Sequence, residues 1–248
     1  MNSNFNLEIC ANSVDSAIIA QKGGATRVEL CENIYEGGTT PSYGAIKLAK
    51  QKLSIDINVI IRPRGGDFLY SDIEFDIMKQ DIDFAKQAGV DGIVLGILNS
   101  DGSIDTKRLD ELVKLAAPLP ITFHRAFDVS RNPFQALEDI IGCGCRRILT
   151  SGQKNKAYEG IELLSRLVDK AKNRIIIMPG SGINETNICE IKEKTQATEF
   201  HVSLREPIPS SMIYRNKDVN MSSIDEIDEF EIMRTDYKRV RNIIEILK

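Results

Sequence analysis

The sequence predicts an α/β protein folded as one (β/α)8 TIM barrel spanning residues 1–248, and three observations carry that prediction. Short β-branched runs recur along the chain, each followed by a turn cluster and then by apolar residues at helical spacing, the pattern of a parallel sheet. There are eight such runs, and they group in pairs. Even ones are entered through similar phrases, such as Gly23-Gly24-Ala25-Thr26-Arg27-Val28 and Ala88-Gly89-Val90-Asp91-Gly92-Ile93. Odd ones leave through Ile61-Arg62-Pro63-Arg64, Phe123-His124-Arg125-Ala126 and Met178-Pro179-Gly180-Ser181. A two-strand, two-helix unit used four times favours a closed barrel over a doubly wound open sheet. The 248-residue length suits one barrel of about 250 residues, and no linker, low-complexity tract or composition break divides it.

In chain order, strands are expected at Leu7–Cys10, Arg27–Cys31, Ile57–Arg62, Gly92–Leu95, Ile121–His124, Arg147–Thr150, Ile175–Met178 and Glu199–Val202. Helical spacing marks Ile73–Gln87, Lys107–Ala116, Pro133–Ile141 and Gly160–Ala171. Pro41 and Pro133 stand where a first helical turn begins, with Thr40 and Asn132 as N-caps. Gly24, Gly89 and Gly142 stand where helices stop, supplying a left-handed residue before the next strand. A long stretch, Ser203–Glu229, then separates the last strand from a terminal helix at about residues 232–247. Connections beyond about 12–15 residues are uncommon. This one carries Met212, Tyr214, Arg215 and Met221, so it reads as a lid, an oligomer contact or a surface loop packed on the rim.

Composition narrows the function. Thirty-two Lys and Arg against 36 Asp and Glu give a net charge of −4, with the basic residues scattered, which excludes a nucleic-acid surface as the main task. No apolar run approaches the ~18 residues of a membrane span, and Met1–Asn6 lacks a signal-peptide pattern. A cytoplasmic protein without a membrane partner is expected. Five dispersed cysteines fit reduced thiols rather than a disulfide framework. With only His124 and His201 present, no single chain can build a site from three imidazoles.

A barrel of this kind places its ligand site at the C-terminal ends of the strands, and that rule sorts the polar residues. The first strand ends Glu8-Ile9-Cys10 and the second Glu29-Leu30-Cys31. Because side chains alternate along a strand, Glu8 and Cys10 share one face, as do Glu29 and Cys31. Arg62, His124, Arg125, His201 and Arg205 close the third, fifth and eighth strands. Gly180-Ser181-Gly182 follows the seventh, before a helix expected near Glu185, where backbone N–H groups can approach an anion. Arg62, Arg125 and Arg205 can add forked bonds to a phosphate or carboxylate. His124 reads either as a general acid or base or as an interior hydrogen-bonding residue. Glu8 and Glu29 read as a proton-transfer pair, as a metal site, or as the charge partners of Arg62 and Arg125. Cys10 and Cys31, expected at matching heights on adjacent strands, can form a linear two-thiolate site, and soft thiolates select Cu(I). Buried packing is the competing reading. Cys143-Gly144-Cys145 precedes a strand and belongs to the opposite face, while Cys189 falls in a helix.

Seven phrases together resemble the CutC family of copper homeostasis proteins. They are Leu7-Glu8-Ile9-Cys10, Arg27-Val28-Glu29-Leu30-Cys31, Glu36-Gly37-Gly38-Thr39-Thr40-Pro41-Ser42, Ile61-Arg62-Pro63-Arg64-Gly65-Gly66-Asp67-Phe68, Thr122-Phe123-His124-Arg125-Ala126-Phe127-Asp128, Leu149-Thr150-Ser151-Gly152 and Met178-Pro179-Gly180-Ser181-Gly182-Ile183. The resemblance runs from about residue 7 to residue 221. It implies a cytoplasmic barrel, a homo-oligomer such as a dimer or tetramer, and Cu(I) held at the positions of Cys10 and Cys31. The chain departs from the family pattern at Leu204, where a small residue is usual, and from Ser222 onward. A second reading is an enzyme, lyase- or isomerase-like, for a small phosphorylated or carboxylated metabolite. Arg62, Arg125 and Gly180–Gly182 would hold the anion, and His124, Glu8 or Glu29 would move protons. A third is a partner-binding barrel that uses Ser203–Glu229.

Overall fold

A computed structural model describes residues 5–216, 218–219 and 228–248. Eight parallel strands form the sheet: β1 (Asn6–Ala11), β2 (Arg27–Leu30), β3 (Asp56–Ile60), β4 (Gly92–Leu95), β5 (Ile121–Phe123), β6 (Arg147–Thr150), β7 (Ile176–Pro179) and β8 (Glu199–Val202). Neighbours in sequence are neighbours in the sheet, and β1 pairs with β8. The circle closes where β7 meets β8 through a parallel bridge between Gly180 and His201. Strands covered on both faces must be apolar outside, and Leu7, Ile9, Val28, Ile57, Ile93, Phe123, Ile148, Ile177 and Phe200 are all buried against the helices. The barrel is a single domain, as its sequence predicts.

Helices α1 (Val14–Gly23), α2 (Tyr43–Lys52), α3 (Asp72–Ala88), α4 (Thr106–Ala116), α5 (Pro133–Gly142), α6 (Ile161–Ala171), α7 (Ile188–Thr195) and α8 (Tyr237–Leu247) surround it. Asn132 caps α5 with Pro133 at its first turn, and Gly24 and Gly89 end α1 and α3 in the left-handed region, as expected. Three boundaries differ. The N-cap of α2 is Ser42, whose hydroxyl accepts from Ala45 N–H; Thr40 instead spends its hydroxyl on the Arg62 amide, so Pro41 stays outside the helix. The left-handed stop after α5 is Gly144, two residues beyond Gly142, because Cys143 still holds a right-handed conformation. The helix expected near Glu185 begins at Ile188, after side-chain turns at Asn184 and Asn187 satisfy the intervening amides.

Beyond β8 the chain forms an antiparallel hairpin, β9 (Arg205–Pro209) with β10 (Glu231–Thr235), before α8. This differs from a loop running directly into a helix. Met212, Ile213 and Tyr214 at its far end are exposed, and Met221 lies outside the described residues. Among the described residues no helix is long and apolar enough to cross a membrane.

Candidate functional site

Strand register builds the interior from below. Glu8 lies opposite Arg27 on one side and His201 on the other, so paired residues of adjacent parallel strands face inward together. Arg27 Nε donates to Glu8 at 2.6 Å, its Nη2 donates to Glu199 at 2.6 Å, and Arg147 Nε donates to Glu199 at 2.6 Å. Asn58 Nδ2 donates at 2.9 Å to the same Glu8 oxygen, Oε2, that accepts from Arg27. These partners replace, for Glu8, the reading that paired the two glutamates with Arg62 and Arg125; Glu29 Oε2 has no hydrogen-bond partner, Arg62 binds carbonyls and Arg125 binds Asp128. Burial alone would raise the Glu8 carboxyl, but Arg27 and His201 hold it far below the usual carboxylate range. Arg27, Arg147 and Glu199 were missed in the sequence because they start their strands, away from the mouth.

One step higher sit the soft and titratable groups. Cys10 lies opposite Glu29 in the β1–β2 register, with Cys31 two residues further toward the mouth. The cysteines are therefore diagonal neighbours, not at matching heights, because paired strands in a barrel are staggered. Their sulfurs are still only 3.7 Å apart, and both side chains are buried. His201 Nδ1 and Glu8 Oε1 are 2.8 Å apart, which leaves Nε2 for the opposite side of the ring. Cys10, Glu29 and His201 bring one ligand atom each within 4.8 Å of one another. His201 thus stands beside the cysteine while lining the same mouth as Arg62 and His124.

The charges follow from this packing. Burial would lower His201, yet Glu29, Cys10 and Glu8 raise it well above the ordinary histidine value. Burial pushes Glu29 up to about 8 against the opposing pull of His201. The Cys31 contact and burial raise the Cys10 thiol as well.

Across the mouth, β5 presents His124 and the chain after β3 presents Arg62. Gly96 makes room for the imidazole, since a Cβ there would lie 2.5 Å from Nδ1. Ala126 N–H donates to Nδ1 at 3.2 Å, which puts the ring proton on Nε2. Burial and the Arg62 charge lower His124 to about 3, so the ring is neutral near pH 7, and its Nε2 has no hydrogen-bond partner. Arg62 Nη1 donates to the carbonyls of Glu36 and Gly38, and Nη2 to that of Gly66. Its guanidinium lies 5.0 Å from the Phe68 ring centre, and Phe68 lies 5.0 Å from His124. Arg125 is tied to Asp128 at 2.7 Å and to Ser151 at 2.9 Å.

The two walls enclose a cavity of about 280 Å³ lined by Cys10, Glu29, Arg62, His124, Arg125 and His201 together with Phe68, Leu149, Val129 and Asp128. Phe68 and Asp128 stood in the family phrases but were not singled out. Gly180, Ser181, Gly182 and Arg205 do not line it. Gly180 backs onto Leu149 and His201, Ser181 Oγ donates to Asn155 O at 2.8 Å, and Gly182 packs on Lys156. Arg205 begins β9 opposite Thr235. Cys143 and Cys145 lie on the far side of the barrel, and Cys189 is exposed on α7.

The chain matches the CutC family model over residues 5–206. A family protein CutC of Parabacteroides distasonis is 54% identical over 239 residues, covering 96% of this chain and 98% of that protein. A human protein named copper homeostasis protein cutC homolog is 47% identical, covering 98% of this chain and 89% of its own. A CutC crystal structure from Streptococcus agalactiae superposes with a TM-score of 0.77 at 39% identity, over 80% of this chain and 98% of that one. With a barrel of that shape, and the phrases around Cys10, Cys31, Arg62 and His124 set at one mouth, the chain belongs to the CutC family.

Proposed function

We propose that the protein binds Cu(I) at the barrel mouth through the thiolates of Cys10 and Cys31, with His201 Nε2 as a third ligand. The observation that carries this reading is the position of Cys10. Its sulfur is 3.7 Å from Cys31 Sγ and also belongs to the compact group with Glu29 and His201. Two thiolates and an imidazole form a soft donor set of the kind that selects Cu(I). A linear two-thiolate ion needs its sulfurs roughly 4.6 Å apart, taking a metal–thiolate bond of about 2.3 Å. The shorter separation suits a bent pair completed by a third ligand. Glu8 supplies the support such a histidine usually has, a carboxylate on the ring nitrogen that does not face the ion.

The copper homeostasis names of the mammalian relatives support the same reading. On it the protein works in the cytoplasm, where thiols stay reduced, and assembles as a homo-oligomer. An anaerobic competition titration against a Cu(I) chelator tests the site. Wild type is expected to take up one Cu(I) per chain, and Cys10→Ser, Cys31→Ser together to abolish competition. His201→Asn should weaken it about 10–100-fold. Unchanged affinity and stoichiometry in the double-serine variant would overturn the assignment.

A further inference from the structure

The mouth holds more chemistry than a copper ion uses. Glu29 Oε2, Arg62 Nε and His124 Nε2 are buried without hydrogen-bond partners, and all three residues line the same cavity. Arg62 is the most informative of them. Deeper in the barrel Arg27 and Arg147 meet carboxylates at 2.6 Å, and at the rim Arg125 meets Asp128. Arg62 is 5% exposed, and among the described residues it has carbonyl partners but no ion pair. A buried guanidinium without a counter-ion is costly unless something else brings the negative charge. His124 adds a neutral N–H on the same wall, and Phe68 packs against both groups, its ring centre 5.0 Å from the guanidinium and 5.0 Å from the imidazole.

We infer that this wall of the cavity binds a short-chain carboxylate, its oxygens received by Arg62 and by His124 Nε2–H. Three of the five guanidinium N–H groups are committed to Glu36, Gly38 and Gly66, which leaves Nε–H and one Nη2–H. Two donors from arginine and one from histidine match the two oxygens of a planar carboxylate. A phosphate, with more oxygens and a second charge, would leave acceptors unmet. The cavity volume of about 280 Å³ equals the liquid share of about nine waters, enough for a few carbons. Ile60, Leu149, Phe68 and Val129 supply an apolar surface for those carbons. A polar group at the ligand's other end would meet Cys10, Glu29 and His201, because β2 and β5 are separated by two strands and face each other across the mouth.

The carboxylate is received by Arg62 and His124 and not by either cysteine, so its binding is tested on protein stripped of metal by chelation. Its outcome then stands apart from that of the copper titration. The probes are acetate, pyruvate, lactate and inorganic phosphate, followed by 1H–15N NMR of the Arg62 Nε–H and His124 Nε2–H groups. At least one carboxylate is expected to shift both resonances together and saturably, and more tightly than phosphate. Arg62→Met should weaken that binding at least about tenfold, and His124→Phe, which keeps a ring against Phe68, should weaken it similarly. If Arg62→Met does not fold, the wild-type resonances decide alone. Absence of a joint shift with all three carboxylates, tighter binding of phosphate, or wild-type affinity in Arg62→Met would each overturn the inference.

Discussion

The two histidines occupy opposite electrostatic states within one cavity. His201 touches Glu8 and approaches Glu29, and is raised above its ordinary value. His124 packs at a tilt against Phe68, and burial with the Arg62 charge lowers it to about 3. With two histidines in the chain, ring 15N NMR can assign both without ambiguity. At pH 6.5 His201 is expected as the imidazolium and His124 as the neutral Nε2–H tautomer, which should persist down to about pH 4. Two rings titrating together near 6.5 would contradict the contacts described. Strand alternation alone made the inward Glu8, Cys10, Glu29 and Cys31 legible in the sequence. What alternation cannot reveal is register, so the diagonal offset of the cysteines and the Glu8–Arg27 pair appear only in the folded barrel.

At the scale of elements, the loop after β6 shows how backbone sterics set the mouth. Asp128 accepts from Thr150 Oγ1, from the amides of Ser151 and Gln153, and from Arg125, gathering the β5 and β6 loops around one carboxylate. Gly152 and Gly160 then pass with their backbones in contact, and a Cβ on Gly160 would lie 2.0 Å from Ser151 O. Gly160→Ala should therefore destabilise the fold by about 1–3 kcal/mol, read as a lower denaturant midpoint, and alanine is also the poorer residue at this N-cap of α6. A gain in stability would show that the loop is free to move aside. The sequence marks this loop through Thr150-Ser151-Gly152 but not its partner, since Gly160 looks like an ordinary helix start. The hairpin escaped for a related reason. Arg205–Pro209 contains two prolines, which argue against a strand except at an edge, and an edge hairpin is what it forms.

Across the whole molecule, the barrel count was legible because each strand run is followed by its own helix. The polar interior was not, because charges at strand starts read as solvated turn residues. Glu8, Arg27, Glu199 and Arg147 join β1, β2, β6 and β8, crossing the seam where the barrel closes. Glu199→Gln would leave the half-buried Arg147 without a carboxylate and the buried Arg27 with Glu8 alone. A loss of about 3–5 kcal/mol in denaturant unfolding near neutral pH is expected. Burial would raise Glu199, but Arg147 and Arg27 lower it, so its contribution is present above the ordinary carboxylate value and fades as pH falls through the folded one. The gap between wild type and Glu199→Gln should accordingly narrow in acid. A gap that widened there would reverse the assigned charge states.

Above that network the mouth offers sulfur, imidazole and a cation to whatever enters, and the metal claim rests on which atoms an ion chooses. Copper K-edge X-ray absorption of the Cu(I)-loaded protein reads those atoms directly. Two sulfur neighbours and one nitrogen are expected, with both sulfurs lost in the Cys10→Ser, Cys31→Ser variant. A first shell without sulfur, or a spectrum unchanged by the double substitution, would contradict copper binding by Cys10 and Cys31.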